Sequence, residues 1–223
     1  MHITILSDSD SWIGEYIPEL ANKLVKDNHS VSIVHNSNEI LPGDIAFFLS
    51  CGQIVSREVL SRNRHNLVIH ESDLPSGKGW APLTWQILEG KSEIPVCLLE
   101  ASEYVDSGKI YIKDVMKFNG TELAGELRRI QAETTIRMCI RFINEYPGIV
   151  EKGVEQYGES TFYKKRSKKD SKLNPDKTIK EQFNLFRVAD NERYPAFFEI
   201  EGEIYLLKIE KMTLGGRGHE HKI

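Results

Sequence analysis

An apolar run, Leu67-Val68-Ile69, delivers His70 to its end, and a loop holding Gly77 and Gly79 follows before Pro82. Thirty-six residues after His70 comes Asp106, in the turn Val105-Asp106-Ser107-Gly108. A histidine titrates near neutrality and can accept a proton. A carboxylate beside it orients the ring and favours its protonated form as charge develops on a reacting amine or hydroxyl. General-base chemistry of this kind is worth about 10²–10⁴ in rate. A buried structural His–Asp contact would use the same two residue types, so the elements that position the pair decide its meaning.

The first 118 residues alternate strand and helix patterns. Residues 2–6, 31–34, 44–49, 67–69, 94–99 and 108–113 read as short apolar strands, the third apolar on both faces as a central parallel strand requires. Between them, residues 14–26 carry Ile13, Ile17, Leu20 and Leu24 at helical spacing, Ser56 stands as the N-cap of a short helix to Leu60, and Pro82 opens a helix with Leu83, Ile87 and Leu88. This βαβ alternation predicts an α/β fold, a Rossmann-like, doubly wound and mostly parallel sheet, with binding groups at the carboxyl ends of its strands. Neighbouring strand ends in such a sheet would bring Asp106 to His70. A long helix, capped by Asn119 or Thr121 and running to about Glu145, follows with Leu123, Leu127, Ile130, Met138 and Phe142 on one stripe, and Pro147-Gly148 ends it. Beyond 148 the texture turns polar. A helix is expected over 178–188, with Ile179, Phe183 and Phe186 on one face, and strands over 195–200 and 203–209 meet at Glu201-Gly202. The organisation is therefore a catalytic domain over 1–147, a small α+β appendage over 148–213 and a flexible tail over 214–223.

The wider pattern around the pair is more specific. His70, Ser72, Leu74-Pro75, Gly79, Pro82, Asp106 and Gly108 resemble the signature of the folate-dependent formyltransferase family, over residues 1 to about 145. That family includes methionyl-tRNA, glycinamide ribonucleotide and sugar N-formyltransferases. The resemblance implies formyl transfer from 10-formyltetrahydrofolate to an amine, with His70 and Asp106 as the catalytic pair and no metal. One position departs. The family's asparagine, two residues before the histidine, is Val68 here. Such a donor to a developing oxyanion is worth about 10²–10³ in rate, and valine has none. Asn66 lies four residues from His70, about 13 Å along a regular strand, and Ser72 or a backbone N–H are other donors.

By the same resemblance the pterin lies against strand ends at Phe48, Leu49, Ser50, Cys51 and Gly52, continuing to Gln53-Ile54, and at Ala101, Ser102, Glu103 and Tyr104. Small residues at 50–52 let a flat ring approach the main chain, although an ordinary strand-to-helix turn has the same composition. No Gly-x-Gly-x-x-Gly follows the first strand. The turn Ser7-Asp8-Ser9-Asp10 is acidic, which argues against a dinucleotide cofactor and leaves the acids to face an amine or to serve as turn residues.

The wording from His70 to Trp85, with Ser72, Lys78, Gly79 and Trp80 in an acceptor loop, resembles sugar N-formyltransferases of the pseudaminic-acid-pathway type. It implies a nucleotide-linked amino sugar as substrate, down to a UDP-linked 4-amino-2,4,6-trideoxy sugar. Asn184 to Arg187 and Tyr194-Pro195 resemble the same group. Arg187, with Lys165 or Arg166 from the basic run 164–169, is the expected diphosphate partner. Rival readings are another amine acceptor, of the methionyl-tRNA or glycinamide ribonucleotide type, hydrolysis of formyl-folate, and an inactive homologue that binds folate or nucleotide sugar.

Composition narrows the field. A net charge of −4 disfavours a general nucleic-acid binder. Three scattered cysteines, Cys51, Cys97 and Cys139, fit neither a disulfide framework nor a zinc site. The N-terminus reads as a strand, not a leader, and no apolar run suits a membrane, so a cytoplasmic location is expected. A homodimer is compatible with the chain.

Overall fold

The computed structural model describes residues 1–212, so the tail expected to be flexible lies outside the described residues. Strands β1 (His2–Leu6), β2 (Ser30–Val34), β3 (Gly43–Phe48), β4 (Asn63–His70), β6 (Glu93–Glu100) and β7 (Ile110–Lys117) form a six-stranded sheet in the order β2-β1-β3-β4-β6-β7. The pairings among β1, β2, β3 and β4 are parallel, whereas β6 is antiparallel to both β4 and β7. The fold class is as expected, a mostly parallel Rossmann-like sheet with helices. A two-residue strand, β5 (Lys78–Gly79), stands apart and pairs with β8 (Phe162–Tyr163).

Side chains alternate between the two faces of each strand. On one face Ile3, Ile5, Ile45, Phe47, Leu67, Val96 and Leu98 pack beneath α1 (Ile17–Lys26), α3 (Pro82–Leu88) and α4 (Ala124–Glu145). The expected stripe of α4 is the packed one, with Leu127, Met138 and Phe142 buried. On the other face Leu6, Ala46 and Phe48 pack with Val59 of α2 (Arg57–Leu60), and Leu74, Cys97, Leu99 and Ile110 form a second small cluster, with Val68 touching both. Val68 and His70 share this thinly covered face, which carries loops and the single-turn α2 where the opposite face carries α1, α3 and α4.

Helix starts follow local chemistry. Ser56 Oγ accepts from the Val59 N–H, as expected of an N-cap. The cap of α4 differs from expectation. The helix starts after Leu123, whose N–H donates to Glu126 at 2.8 Å, while Asn119 Oδ1 is turned onto Thr121. The first helix also begins later than its pattern implied, because residues 12–15 form a separate 3₁₀ turn.

After α4 and the single turn α5 (Gly148–Glu151), the chain builds α6 (Phe183–Arg187) and the hairpin β9 (Ala196–Ile200) and β10 (Glu203–Leu207) around Leu173, Phe186, Ala189 and Ala196. The hairpin forms where Glu201-Gly202 predicted it. The helix expected over 178–188 is only its second half, and Ile179 is 70% exposed. Glu181 accepts from the Thr178 N–H and hydroxyl, and Gln182 from the Asn174 N–H, so side-chain turns replace the first helical turn.

Candidate active site

His70 ends β4 with only 6% of its side chain exposed, and its Nδ1 lies 3.5 Å from Asp106 Oδ2. The sequence-predicted pair is therefore brought together, but by a different route. Because β6 runs antiparallel to β4, the β6–β7 connection leaves beside Asn66, where the Ala101 N–H donates to the Asn66 carbonyl. The loop over residues 101–109 must run back towards the carboxyl end of β4 to deliver Asp106.

The backbone holds that delivery. Asp106 adopts the left-handed region at φ 50°, a cost of about 1–3 kcal/mol that surrounding contacts must offset. Gly79 N–H donates to Asp106 Oδ2 at 2.9 Å, and Gln156 Nε2 donates to the carbonyls of both Asp106 and Gly108. Position 108 must be glycine, since a Cβ there would lie 1.9 Å from the Glu100 carbonyl oxygen. At Gly79, φ is +97° and a Cβ would lie 2.6 Å from the Tyr163 carbonyl oxygen. The glycines of the sequence pattern are thus demanded by close backbone approach.

His70 Nε2 lies 2.8 Å from the Gly77 carbonyl oxygen, an acceptor, so Nε2 carries a proton. The other nitrogen faces a carboxylate. An imidazolium satisfies both contacts, so the site suits a histidine that gains a proton at Nδ1 and is then held between Gly77 and Asp106. Beside it, Glu71 is half-buried with Oε1 accepting from Gln131 Nε2 at 2.6 Å, and burial above all pushes its carboxyl above the usual range.

The two expected cofactor stretches meet at Val68, since Phe48, Cys51 and Ala101 belong to one cluster with it. Leu49 is buried under the helices on the opposite face and lines the site with main chain at most, whereas Phe48 packs on the Val68 face. Ser50 is exposed at φ 47°. Gly52 N–H and Gln53 Nε2 both donate to Asp8, each at 2.8 Å, which makes Asp8 a brace for this loop rather than a free group facing an amine. Burial, with Asp8 adding to it, pushes the Cys51 thiol up to about 11, so it is no nucleophile. On the opposite rim Ser102, Glu103 and Tyr104 are exposed, Tyr104 at 77%.

The residues expected in an acceptor loop are distributed unevenly. Trp80 is 45% exposed, with the Lys165 ammonium 4.6 Å from its ring centroid and Gly52 close to its edge. Lys78 is buried and donates to Ser107 Oγ at 2.8 Å. Ser72 is buried beneath Gly77, its hydroxyl without a protein partner. Arg187 corrects the sequence reading. It is buried, with Nε donating to the Glu122 carbonyl, one terminal nitrogen to Glu122 Oε2 and the other to Asn184 Oδ1, so no donor fork is left for a diphosphate. Arg166 turns its two terminal nitrogens onto Ser171 Oγ and the Val188 carbonyl, while its Nε is buried without a hydrogen-bond partner. Asn66 is excluded as the oxyanion donor, because its strand is regular and its amide donates to the Leu60 carbonyl.

The sequence reading missed Gln156, Thr161 and Tyr163. Thr161 Oγ1 accepts from Gly77 N–H, and the β5–β8 pairing seats residues 161–165 against the loop that holds His70 and Asp106. Nothing in a polar, aperiodic stretch signals a two-residue strand. Among the described residues no group of three or more His, Cys, Asp or Glu side chains could hold a metal, and no helix is long and apolar enough to cross a membrane.

Known proteins resemble the chain along most of its length. It is 25% identical over 202 residues to a methionyl-tRNA formyltransferase from Sulfurihydrogenibium, covering 89% of this chain and 64% of that protein. The chain spans between half and two thirds of the length of such curated relatives. HypX from Aquifex aeolicus, solved in complex with tetrahydrofolic acid, superposes with TM-score 0.76 at 20% identity, over 97% of this chain and 39% of that one. A sugar N-formyltransferase from Shewanella superposes with TM-score 0.68 at 15% identity, over 96% of this chain and 99% of that one. At those identities the superpositions establish the fold. The family model described as formyl transferase matches residues 5–142, more than half of the sequence, and the chain belongs to that family.

Proposed function

We propose that this chain transfers the formyl group of 10-formyltetrahydrofolate to the amine of a nucleotide-linked amino sugar, with a UDP-4-amino-2,4,6-trideoxy sugar as the specific candidate. The formyl donor is a substrate here, and it supplies an activated carbonyl to the attacking amine. His70 accepts the amine proton at Nδ1. Asp106 offsets the charge that His70 gains, and Gly77 fixes the ring from the other side. The exposed rim 102–104 and the small residues at 50–52 leave room for a flat ring beside Val68.

The observation that carries the sugar reading is Trp80 with Lys165. An aromatic face half open to solvent, with an ammonium over it, stands on the same loop as the groups that hold the catalytic pair. A nucleotide sugar presents both a planar base or apolar ring face and a diphosphate to such a site. Of the three cations expected to meet a diphosphate, Arg187 and Arg166 are held by protein groups and Lys165 is the one that stands open beside Trp80. A homodimer would cover β10, whose Ile204, Tyr205, Leu206 and Leu207 are all exposed on a two-stranded hairpin.

A second reading, formylation of an aminoacyl-tRNA, is favoured by the names of the curated relatives. Mass spectrometry separates the two. The protein is mixed with 10-formyltetrahydrofolate and either UDP- and dTDP-amino sugars or charged methionyl-tRNA, with His70→Ala and Asp106→Ala in parallel. One added formyl mass on a sugar, lost in both variants, supports the proposal. Formylation confined to methionyl-tRNA overturns it.

A further inference from the structure

Position 68 lies two residues before His70 on the same face of β4 and carries valine, which cannot donate a hydrogen bond. Formyl transfer nevertheless develops negative charge on the formyl oxygen. The amine nitrogen bonds to the formyl carbon, the carbonyl π pair moves onto oxygen, and the amine proton passes to His70. The carbonyl then re-forms as the bond from carbon to N10 of the folate breaks, and N10 takes the proton from His70. A donor aimed at that oxygen is typically worth about 10²–10³ in rate.

Lys78 has the means to supply it. Its side chain is buried, with 7% of the residue exposed, and among the described residues no carboxylate lies within ion-pairing distance of its ammonium. Among the described residues the ammonium makes one hydrogen bond, to the neutral Ser107 hydroxyl at 2.8 Å. An ammonium has three N–H donors, so two are unspent, and a buried cation without a counter-charge is costly unless something anionic arrives. Its position in the chain is equally specific. Lys78 stands between Gly77, whose carbonyl holds His70, and Gly79, whose N–H holds Asp106, and Ser107 follows Asp106 directly. The backbone of β5 is pinned by the Lys78 N–H donating to the Thr161 carbonyl, and the bond from the ammonium to Ser107 Oγ holds the charge at the residue next to Asp106. The rival donor, the Ser72 hydroxyl, is uncharged and packed under Gly77, where an added Cβ would come within 3.0 Å of the serine.

We infer that Lys78 is a catalytic residue of this chain, its ammonium stabilising the formyl oxyanion in place of the amide donor that Val68 lacks. The inference rests on the formyl-transfer reading. Its test uses Lys78→Met, which keeps the buried stem and removes the charge, and Val68→Asn in the same background. Lys78→Met is expected to lower kcat by about 10²–10³ with KM nearly unchanged, and adding Val68→Asn is expected to recover most of that loss. A merely structural lysine would not be rescued by an amide on a different strand. A second readout needs no turnover. With 10-formyl-5,8-dideazafolate, a folate analogue ¹³C-labelled at its N10 formyl group, bound, the carbonyl stretch in the infrared is expected at lower frequency in the wild type than in Lys78→Met. Wild-type kcat in Lys78→Met, or identical carbonyl frequencies, overturns the role of Lys78 alone. Failure of the wild type to bind the labelled folate overturns the formyl-transfer reading and this inference with it.

Discussion

Replacing Arg187 with leucine separates a structural from a substrate-binding role for the residue that the sequence pattern offered to a diphosphate. In the fold, 4% of the Arg187 side chain and 9% of that of Glu122 is exposed, and their atoms lie 3.1 Å apart. Burial alone would raise the Glu122 carboxyl, but the N–H groups of Asn119 and Gly120 and then the Arg187 guanidinium outweigh it and hold the group below the usual range. Removing one partner of such a pair costs about 3–5 kcal/mol. The lower end applies, about 3 kcal/mol, because Glu122 keeps its two N–H donors. For a chain of this size each kcal/mol lowers Tm by about 2–4 °C, so Arg187→Leu is expected to melt about 6–12 °C below the wild type. Scanning calorimetry measures that shift, and formyl-transfer kinetics well below Tm should show KM for the acceptor nearly unchanged. The double variant Glu122→Leu/Arg187→Leu should regain much of the lost Tm, since two well-packed apolar groups carry no unpaired charge. A Tm within about 2 °C of the wild type, together with a KM raised about tenfold or more, would refute the structural assignment.

Three further outcomes follow from the geometry. Gly79→Ala should lose nearly all transfer activity while far-ultraviolet circular dichroism stays unchanged, because its Cβ would meet the Tyr163 carbonyl and displace the N–H that holds Asp106; full activity would show that the β5–β8 pairing is dispensable. Burial raises the folded-state pKa of Glu71 above its unfolded value, so Glu71 costs nothing below the unfolded pKa and costs progressively more as pH rises through the folded one. Glu71→Gln should therefore gain Tm relative to the wild type between pH 4 and pH 8 (about 4.3 being the unfolded value), and a difference that shrinks as pH rises would contradict this. Lys164 and the Ser167 N–H hold Asp170 down to about 2, so its contribution is present above the unfolded value and lost as pH falls towards 2. Asp170→Asn should lower Tm at pH 7 but not at pH 2, and equal losses at both would remove the charge from the explanation.

What the sequence by itself determined was local or periodic. The apolar runs of β1, β3 and β4, the stripe of α4, the Ser56 cap and the Glu201-Gly202 hairpin are each written in a few adjacent residues, and each is present in the fold. The His70–Asp106 pair was legible through the family resemblance, whose residues Ser72, Leu74-Pro75, Gly79, Pro82 and Gly108 lie close to one or other member in the sequence. The tertiary structure alone decided how the pair meets. A strand edge can hydrogen-bond a neighbour of either direction, and the path of the connecting chain decides which, so no local residue marks β6 as antiparallel. It also decided which charges are free. Arg187 and Lys165 are both basic residues in a polar stretch of sequence, yet one is buried against Glu122 and the other lies over Trp80, because long-range packing chooses each side chain's partner. The same holds for Lys78, whose burial without a counter-charge depends on Thr161 and Ser107 arriving from distant parts of the chain.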